Sequence, residues 1–596
     1  MSKTVMAKAK IVKGGSFLIE ERNPSEVFTP EDFSEEQRAI AKTTRDFVIG
    51  EVYPNRNEIE NKNTEVLTSL LRKSGELGLL SFDIPEKYEG LGLDKVCSML
   101  VAENIAPGGG SFAVSHGGHT GIGTWPIIYF GTEVQKKHYL PKLATGELLA
   151  AYALTEPHSG SDSLAAKTRA ILSEDGKYYT LNGTKMWITN AGFADIFVTF
   201  AKVDGDKFSA FIIEKTFPGV STGGEEHKMG IRGSSTRTLE LNDARVPSEN
   251  LLGEIGKGHL IAFNVLNMGR FKLGAGCVGG AKAAMKETIA YANERHQFNK
   301  PISSFGAIKQ KLAEMAIRCY AVESAVYRTA GLIDQALDGV DADDNMGIMK
   351  GIEEYAIECS AMKVYGTEML DFVADEMVQV YGGYGYSQEY PAEIVYRDSR
   401  INRIFEGTNE INRMLIPGML LKKAMKGELA IMQAAKQLME ELLSFPSMED
   451  EEDGILAEEQ KQVRNAKKVV LMVAGAAAQK YMQNISEQQE LLMGIADIIM
   501  EVYAMESTLL RTQKFIQANS EQKADLRIEA TRAFISDAMD RIEVTARPLL
   551  AALVEGDMLR TQLAALKRFT RHTPYNSIQA RQRIAAAMSE TGKYIF

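Results

Sequence analysis

The stretch Tyr178-Tyr-Thr-Leu-Asn-Gly-Thr-Lys-Met-Trp-Ile-Thr189 is rich in aromatic and β-branched residues and alternates with period two. Such a pattern predicts strand at residues 178–181 and 184–189. Between them Asn182-Gly183 predicts a two-residue hairpin turn, because both positions tolerate positive φ. Asp204-Gly205 sits in the same way between strand-like residues 196–203 and 208–214. A β-domain is therefore expected over residues 151–259, closing at Arg245-Val-Pro247 and the glycines 253, 256 and 258.

On both sides of this unit the period becomes helical. Residues 34–150 read as a helical domain: Ser34 and Gln37 fit a capping box, and Ile40 and Phe47 fall on one helix face. The glycine-rich residues 107–123 form its one unusual loop. Residues 260–426 carry long helical segments, such as 281–295 and 308–332, that suit a helix bundle. An acidic linker follows at 427–454, including five consecutive acids at 449–453. Residues 455–596 form a helical tail, with Val463, Ala466, Val470, Val473 and Ala477 on one apolar face and Leu491, Ile495, Ile498, Val502, Met505 and Leu509 on another. Residues 1–33 are an N-terminal extension. The fold class is mainly α with an inserted β-domain.

A chain of 596 residues is too long for one small module, and 45% hydrophobic with 25% charged residues gives each unit a core. The net charge of -11 opposes nucleic acid and broad attraction to anionic lipid. Cys97, Cys277, Cys319 and Cys359 form no Cys-x-x-Cys, which argues against a disulfide framework or zinc knuckle and for a reducing compartment. The lysines near the N-terminus are not followed by an apolar signal stretch, and the longest apolar run, 469–478, is half the roughly 20 residues a bilayer requires. No transmembrane span and a cytoplasmic location are expected. His116-Gly-Gly-His119 lacks further metal ligands at suitable spacing, so no metal site is expected. Residues 253–258 lack phosphate-loop spacing, and no Gly-x-Ser-x-Gly elbow occurs.

Three segments occur together and in order: Tyr152-Ala-Leu-Thr-Glu-Pro-His-Ser-Gly-Ser-Asp162, Lys185-Met-Trp-Ile-Thr-Asn190, and Gln379-Val-Tyr-Gly-Gly-Tyr-Gly-Tyr386 followed by Arg403-Ile-Phe-Glu-Gly-Thr-Asn-Glu-Ile-Asn-Arg413. With Met229-Gly-Ile-Arg-Gly-Ser234 and Arg245-Val-Pro-Ser-Glu-Asn250, this set resembles the acyl-CoA dehydrogenase family over residues 34–417. The resemblance implies that family's fold of α-helical domain, β-barrel and four-helix bundle, here followed by a helical tail like that of the very-long-chain branch. It implies FAD as cofactor, fatty acyl-CoA as substrate in β-oxidation, electron-transfer flavoprotein as acceptor and a homodimer. Glycines 117, 118, 121 and 123 would leave room for a long acyl chain. Peripheral membrane contact through the tail stays open. An acyl-CoA oxidase, or a respiratory assembly factor binding through residues 1–34 or the tail, is the alternative.

The resemblance also assigns residues. Glu406 is the catalytic base, since a carboxylate in an apolar pocket has its pKa raised toward the value best suited to proton abstraction. Ser161, Arg270 and Gly407 face substrate, Arg270 beside its entrance. Tyr152, Leu154, Thr155, Gly160, Ser161, Trp187, Ile188 and Thr189 line the flavin; Trp187 and Thr189 are placed on one side of their strand by alternation. Arg295, Gln297, Phe298 and Phe305 approach the pyrophosphate and adenine, where a guanidinium clamps two oxygens. Gln379, Gly382 and Gly383 reach the FAD of the neighbouring subunit, and Thr408 and Glu410 complete the cofactor set. One departure is Ile394, where the family usually carries Lys or Arg, so an ion pair would be missing.

Overall fold

The computed structural model describes residues 11–341, 344–443 and 454–596. The expected capping box starts α1 (Glu35–Phe47): Gln37 N–H donates to Ser34 Oγ at 3.1 Å, and Ser34 N–H donates to Gln37 Oε1 at 2.9 Å. Around it stand α2 (Thr64–Glu76), α3 (Lys95–Ile105), α4 (Gly110–Gly117) and α5 (Glu133–Thr145). The glycine-rich loop is a π-helical turn, Gly118–Gly123, continuous with α4. Its glycines serve mainly close packing: a Cβ on Gly123 would lie 2.8 Å from that of Ala150, and one on Gly118 3.3 Å from the Thr189 methyl. Gly109 and Gly117 face open space.

The middle unit is one eight-stranded sheet built from β1 (Ala150–Ala153), β2 (Arg169–Leu172), β3 (Tyr178–Thr189), β4 (Ile196–Val203), β5 (Lys207–Glu214), β6 (Val220–Thr222), β7 (Thr236–Pro247) and β8 (Leu251–Leu252). The order is β6-β7-β3-β2-β4-β5-β8, with β1 beside β4. Asp204 and Gly205, at φ 49° and 89°, close the β4–β5 hairpin as expected.

Asn182-Gly183 does not turn the chain. Residues 178–189 form one continuous strand, and the dipeptide lies at a register shift against β7. Asn182 Nδ2 donates to Asp243 Oδ1 at 2.9 Å, and Asp243 N–H donates back to Asn182 Oδ1 at 2.9 Å, which locks the bulge across the pair. Glycine is needed at 183 for close approach, because a Cβ there would meet Thr168 Oγ1 at 2.3 Å. The hairpin lies upstream at residues 173–177, where Ser173 N–H bonds Tyr178 O at 2.9 Å.

The bundle contains α6 (Gly258–Glu294), α7 (Gly306–Leu337), α8 (Ala356–Tyr381) and α9 (Asn409–Met425). α6 is its spine and packs on α3, α7 and α8. The tail consists of α10 (Ala457–Tyr481), α11 (Gln489–Ala518), α12 (Glu521–Leu553), α13 (Gly556–Thr570) and α14 (Ser577–Thr591), and both of its expected apolar faces are buried. Residues 11–33 of the N-terminal extension strap bundle to tail. Gly15 N–H donates to Glu358 at 2.7 Å, Lys467 Nζ to Glu20 O at 2.9 Å, and Arg511 Nη2 to Glu31 at 2.9 Å. Within the expected linker, Ile431–Leu443 is instead an amphipathic helix packed on α10, with Ile431 and Leu438 buried; the acidic run 449–453 and residues 1–10 lie outside the described residues. All four cysteines are buried and unbonded, and no helix among the described residues is long and apolar enough to cross a membrane.

Candidate active site

Glu406 lies in the loop that leads into α9. Thr408 ends this loop as the helix cap, its Oγ1 accepting from Ile411 N–H at 3.2 Å. Glu406 and Gly407 both take left-handed backbone, at φ 57° and 74°. A non-glycine residue there stores strain, and its surroundings must hold it. Asn412 Nδ2 donates to the carbonyls of Glu406, Gly407 and Thr408 at 3.3, 2.8 and 3.0 Å. From α6, Arg270 Nε donates to Glu406 O at 3.2 Å; from α8, Lys363 Nζ donates to Gly407 O at 2.8 Å.

The carboxyl points into the interior. Its Oε2 is buried and has no hydrogen-bond partner among the described residues. It rests on the backbone of α6 at Gly269, where a Cβ would lie 2.7 Å from Oε2. Burial pushes the carboxyl up to about 7, while the charges of Arg270 and Lys363 hold it from rising further. Among the described residues the Glu406 amide N–H donates to nothing. The Tyr152 hydroxyl is likewise buried without a partner, and burial together with the nearby Glu406 charge keeps it protonated. Arg270 is 7% exposed and holds the loop from the α6 side.

β1 leads into the segment carrying the other expected residues. Leu154 and Ile188 are buried, Thr155 is half-buried, and Gly160 and Ser161 are exposed. The segment is tied to β3 by Met186 N–H donating to Thr155 O at 2.9 Å and by a buried ion pair, Lys185 Nζ to Glu156 Oε1 at 2.7 Å. Glu156 also accepts from the Lys167 and Thr168 amides at 2.6 and 3.0 Å. A second bulge in β3 breaks the expected alternation. Lys185 is fully buried, whereas Trp187, at φ 61°, is 53% exposed and Thr189 half-buried.

The remaining residues form a second, exposed group. Arg295, Gln297 and Phe298 occupy the α6–α7 turn, with the Phe298 ring edge-on to Phe305 at 5.9 Å. Gln379, Gly382 and Gly383 lie at the end of α8, where Arg295 covers the Tyr384 ring at 5.4 Å. A Cβ on Gly382 or Gly383 would meet nothing within 4 Å. Along α6, Arg270 and Arg295 are separated by roughly 37 Å of helix. Glu410 is exposed in the first turn of α9.

His116 and His119 are structural. His119 Nδ1 accepts from Ala150 N–H at 3.1 Å, so its Nε2 donates to Leu143 O at 3.0 Å; His116 Nε2 bonds Leu79 O at 2.8 Å. Burial lowers their pKa values to about 4 and about 3, and no metal-binding cluster occurs among the described residues. Near the Ile394 departure, Arg397 pairs with Glu393, at 2.6 and 3.0 Å, and with Glu60, at 3.4 Å.

Models of the acyl-CoA dehydrogenase N-terminal, middle and C-terminal domains match residues 34–147, 151–244 and 256–421, and a further acyl-CoA dehydrogenase C-terminal domain model matches 465–568. The chain belongs to the acyl-CoA dehydrogenase family. It is 54% identical to a probable acyl-CoA dehydrogenase of Bacillus subtilis (strain 168), over 99% of this chain and 100% of that one. It is 36% identical to the very long-chain specific acyl-CoA dehydrogenase, mitochondrial, of Rattus norvegicus, over 74% of this chain and 69% of the relative. The crystal structure of an acyl-CoA dehydrogenase complexed with FAD from Bacillus anthracis superposes with a TM-score of 0.96 at 54% identity, covering 98% of this chain and 100% of that one.

Sequence reasoning did not single out four features around Glu406 and β3: Gly269, Lys363, Asn412 and the Glu156–Lys185 pair. Lys363 carried a signal, being a lone charge among Ala361, Met362 and Val364 on a buried helix.

Proposed function

We propose that the chain is an FAD-dependent dehydrogenase that converts a long-chain fatty acyl-CoA to its trans-2-enoyl thioester and delivers the electrons to electron-transfer flavoprotein. The observation that carries this reading is the Glu406 carboxyl, whose Oε2 is buried and, among the described residues, unpartnered; its burial pushes the carboxyl up to about 7. A base so placed is ionised at working pH yet little solvated, which suits removal of a proton α to a thioester carbonyl. The free amide N–H of Glu406 can donate to the carbonyl oxygen as negative charge develops there. The buried Tyr152 hydroxyl adds a polar group beside the same space.

The residues present fit a flavin dinucleotide. An exposed indole on a strained bulge is costly unless something covers it, and Trp187 is such a group. The hydroxyls of Thr155, Ser161 and Thr189 accompany it, and the uncrowded Gly382 and Gly383 leave room for phosphate near backbone amides. When bound, FAD supplies the acceptor for the hydride leaving the β carbon. The length of α6 between Arg270 and Arg295 supports the second group serving a partner's cofactor, hence a homodimer. The tail, and the very long-chain name of one set of relatives, support a long acyl chain. Four free thiols suit a reducing, cytoplasmic setting. Residues 11–33 are engaged within the fold, which disfavours the assembly-factor reading through that segment.

Replacing Glu406 by Gln is expected to abolish bleaching of the flavin by acyl-CoA while FAD stays bound; unchanged bleaching overturns the mechanism. Turnover across acyl-CoA lengths with a dye acceptor reads the chain preference, and peroxide formed with substrate would mark an oxidase instead.

A further inference from the structure

The loop bearing Glu406 is joined to the tail by an unbroken line of side-chain hydrogen bonds. Lys363 Nζ, buried on α8, donates to Gly407 O at 2.8 Å and to Asn409 Oδ1 at 2.6 Å. Asn409 turns its amide to Thr367 Oγ1 at 3.1 Å and Glu368 Oε1 at 3.0 Å. Glu368 is gripped at both oxygens by Arg413, at 2.7 and 2.8 Å, in the fork geometry that fixes orientation as well as charge. The third nitrogen of Arg413 reaches out of the bundle to Asp497 Oδ1 on α11, at 2.7 Å. Each side chain of this line thus has a partner on either side.

We propose that the tail is part of the support of the catalytic loop: Asp497 sets Arg413, Arg413 sets Glu368, Glu368 orients Asn409, and Asn409 with Gly407 seats Lys363 beneath Glu406. These are positioning residues, and the inference rests on Glu406 being the base. Lys363 has a second effect. The charged and titratable groups around it are Glu406 and Glu410 from the loop and α9, and Arg270 and Cys277 from α6. Its positive charge favours the ionised form of Glu406. Misplacing a base by about 1 Å can cost on the order of 100-fold in rate, so small shifts of this loop are measurable.

The test is a double-mutant cycle on the full-length holoenzyme, reading the rate of flavin bleaching by palmitoyl-CoA. Lys363→Met is expected to slow bleaching by about 100-fold and Asp497→Ala by about 5-fold. The double variant should lose clearly less than the product, because both act through one relay. Asp497→Glu should restore most of the rate. In parallel the Glu406 carboxyl titration, read by infrared difference against the matching E406Q protein, should move to higher pH in Lys363→Met and stay in place in Lys363→Arg. Multiplicative losses, or an Asp497→Ala protein that melts earlier but bleaches at the parent rate, overturn the relay. Bleaching that survives in E406Q alone would instead overturn the assignment of the base, and the infrared titration would still read whether Lys363 governs Glu406.

Discussion

Glu406 is held in left-handed backbone with its carboxyl against Gly269, and its proton affinity follows from that placement. Burial raises its pKa from an ordinary 4.5 to about 7. In this window the folded chain keeps a proton that the unfolded chain has released. Stability attributable to this group is therefore full below about pH 4.5 and is lost as pH rises through about 7. The loss amounts to on the order of 3 kcal/mol. Glu406→Gln removes the titration, so relative to the parent the variant should become more stable as pH increases from 5 to 8. Chemical denaturation at several pH values checks this, and a constant difference would refute it. Activity should follow the opposite limb. The base works ionised, so the rate of flavin bleaching in the parent should fall as pH drops through about 7.

In β3 two bulges turn a regular strand into a platform. At Gly183 the strand closes on Thr168 so tightly that any side chain intrudes, whereas at Trp187 it lifts an indole toward solvent. Gly183→Val should cost about 2 kcal/mol by overpacking and weaken FAD retention by shifting Trp187. A melting curve and the flavin-to-protein absorbance ratio measure the two effects, and loss of neither would show that the bulge tolerates side chains. The same strand shows what the sequence could and could not convey. Helices were legible because burial on one face leaves a 3.6-residue period, as at Val463–Ala477 and Leu491–Leu509, and because Ser34 and Gln37 make a local cap. The Asn182-Gly183 signal is local too, but a partner far along the chain, Asp243, overrode it. Glu406 and Trp187 stood out through motif order. Gly269 and Lys363 did not, since their importance lies in what helices α6 and α8 bring against a distant loop.

At the scale of the whole molecule, extension, helical domain, bundle and tail meet in one buried set of charges. Arg511 of α11 is 2% exposed; it donates to Glu323 of α7 at 2.7 Å and to Glu31 of the extension at 2.9 Å, and lies over the Tyr320 ring at 4.5 Å. Lys282 of α6 bonds Glu323 and also Glu103 of α3, the latter at 2.6 Å, and Tyr594 near the chain end donates to Glu323 at 2.9 Å. Lys282 and Arg511 together outweigh the burial of Glu323 and hold its carboxyl below the usual range. Because the shift is downward, this stabilisation is present above the ordinary glutamate pKa and is lost as pH falls beneath it. Arg511→Leu removes the cation, leaving buried Glu323 with Lys282 as its remaining cation and Glu31 with Arg527 alone, at 3.3 Å. Such a change is worth about 3–5 kcal/mol when one partner of a buried pair is deleted. The loss falls on the contacts joining tail and extension to the bundle, across a hydrophobic core that all three share. The variant should therefore melt several degrees below the parent, with tail and bundle destabilised together. Full-length parent and variant compared by scanning calorimetry at pH 7 test this directly, and a single transition in the variant at the parent's midpoint would show that helix packing alone docks the tail.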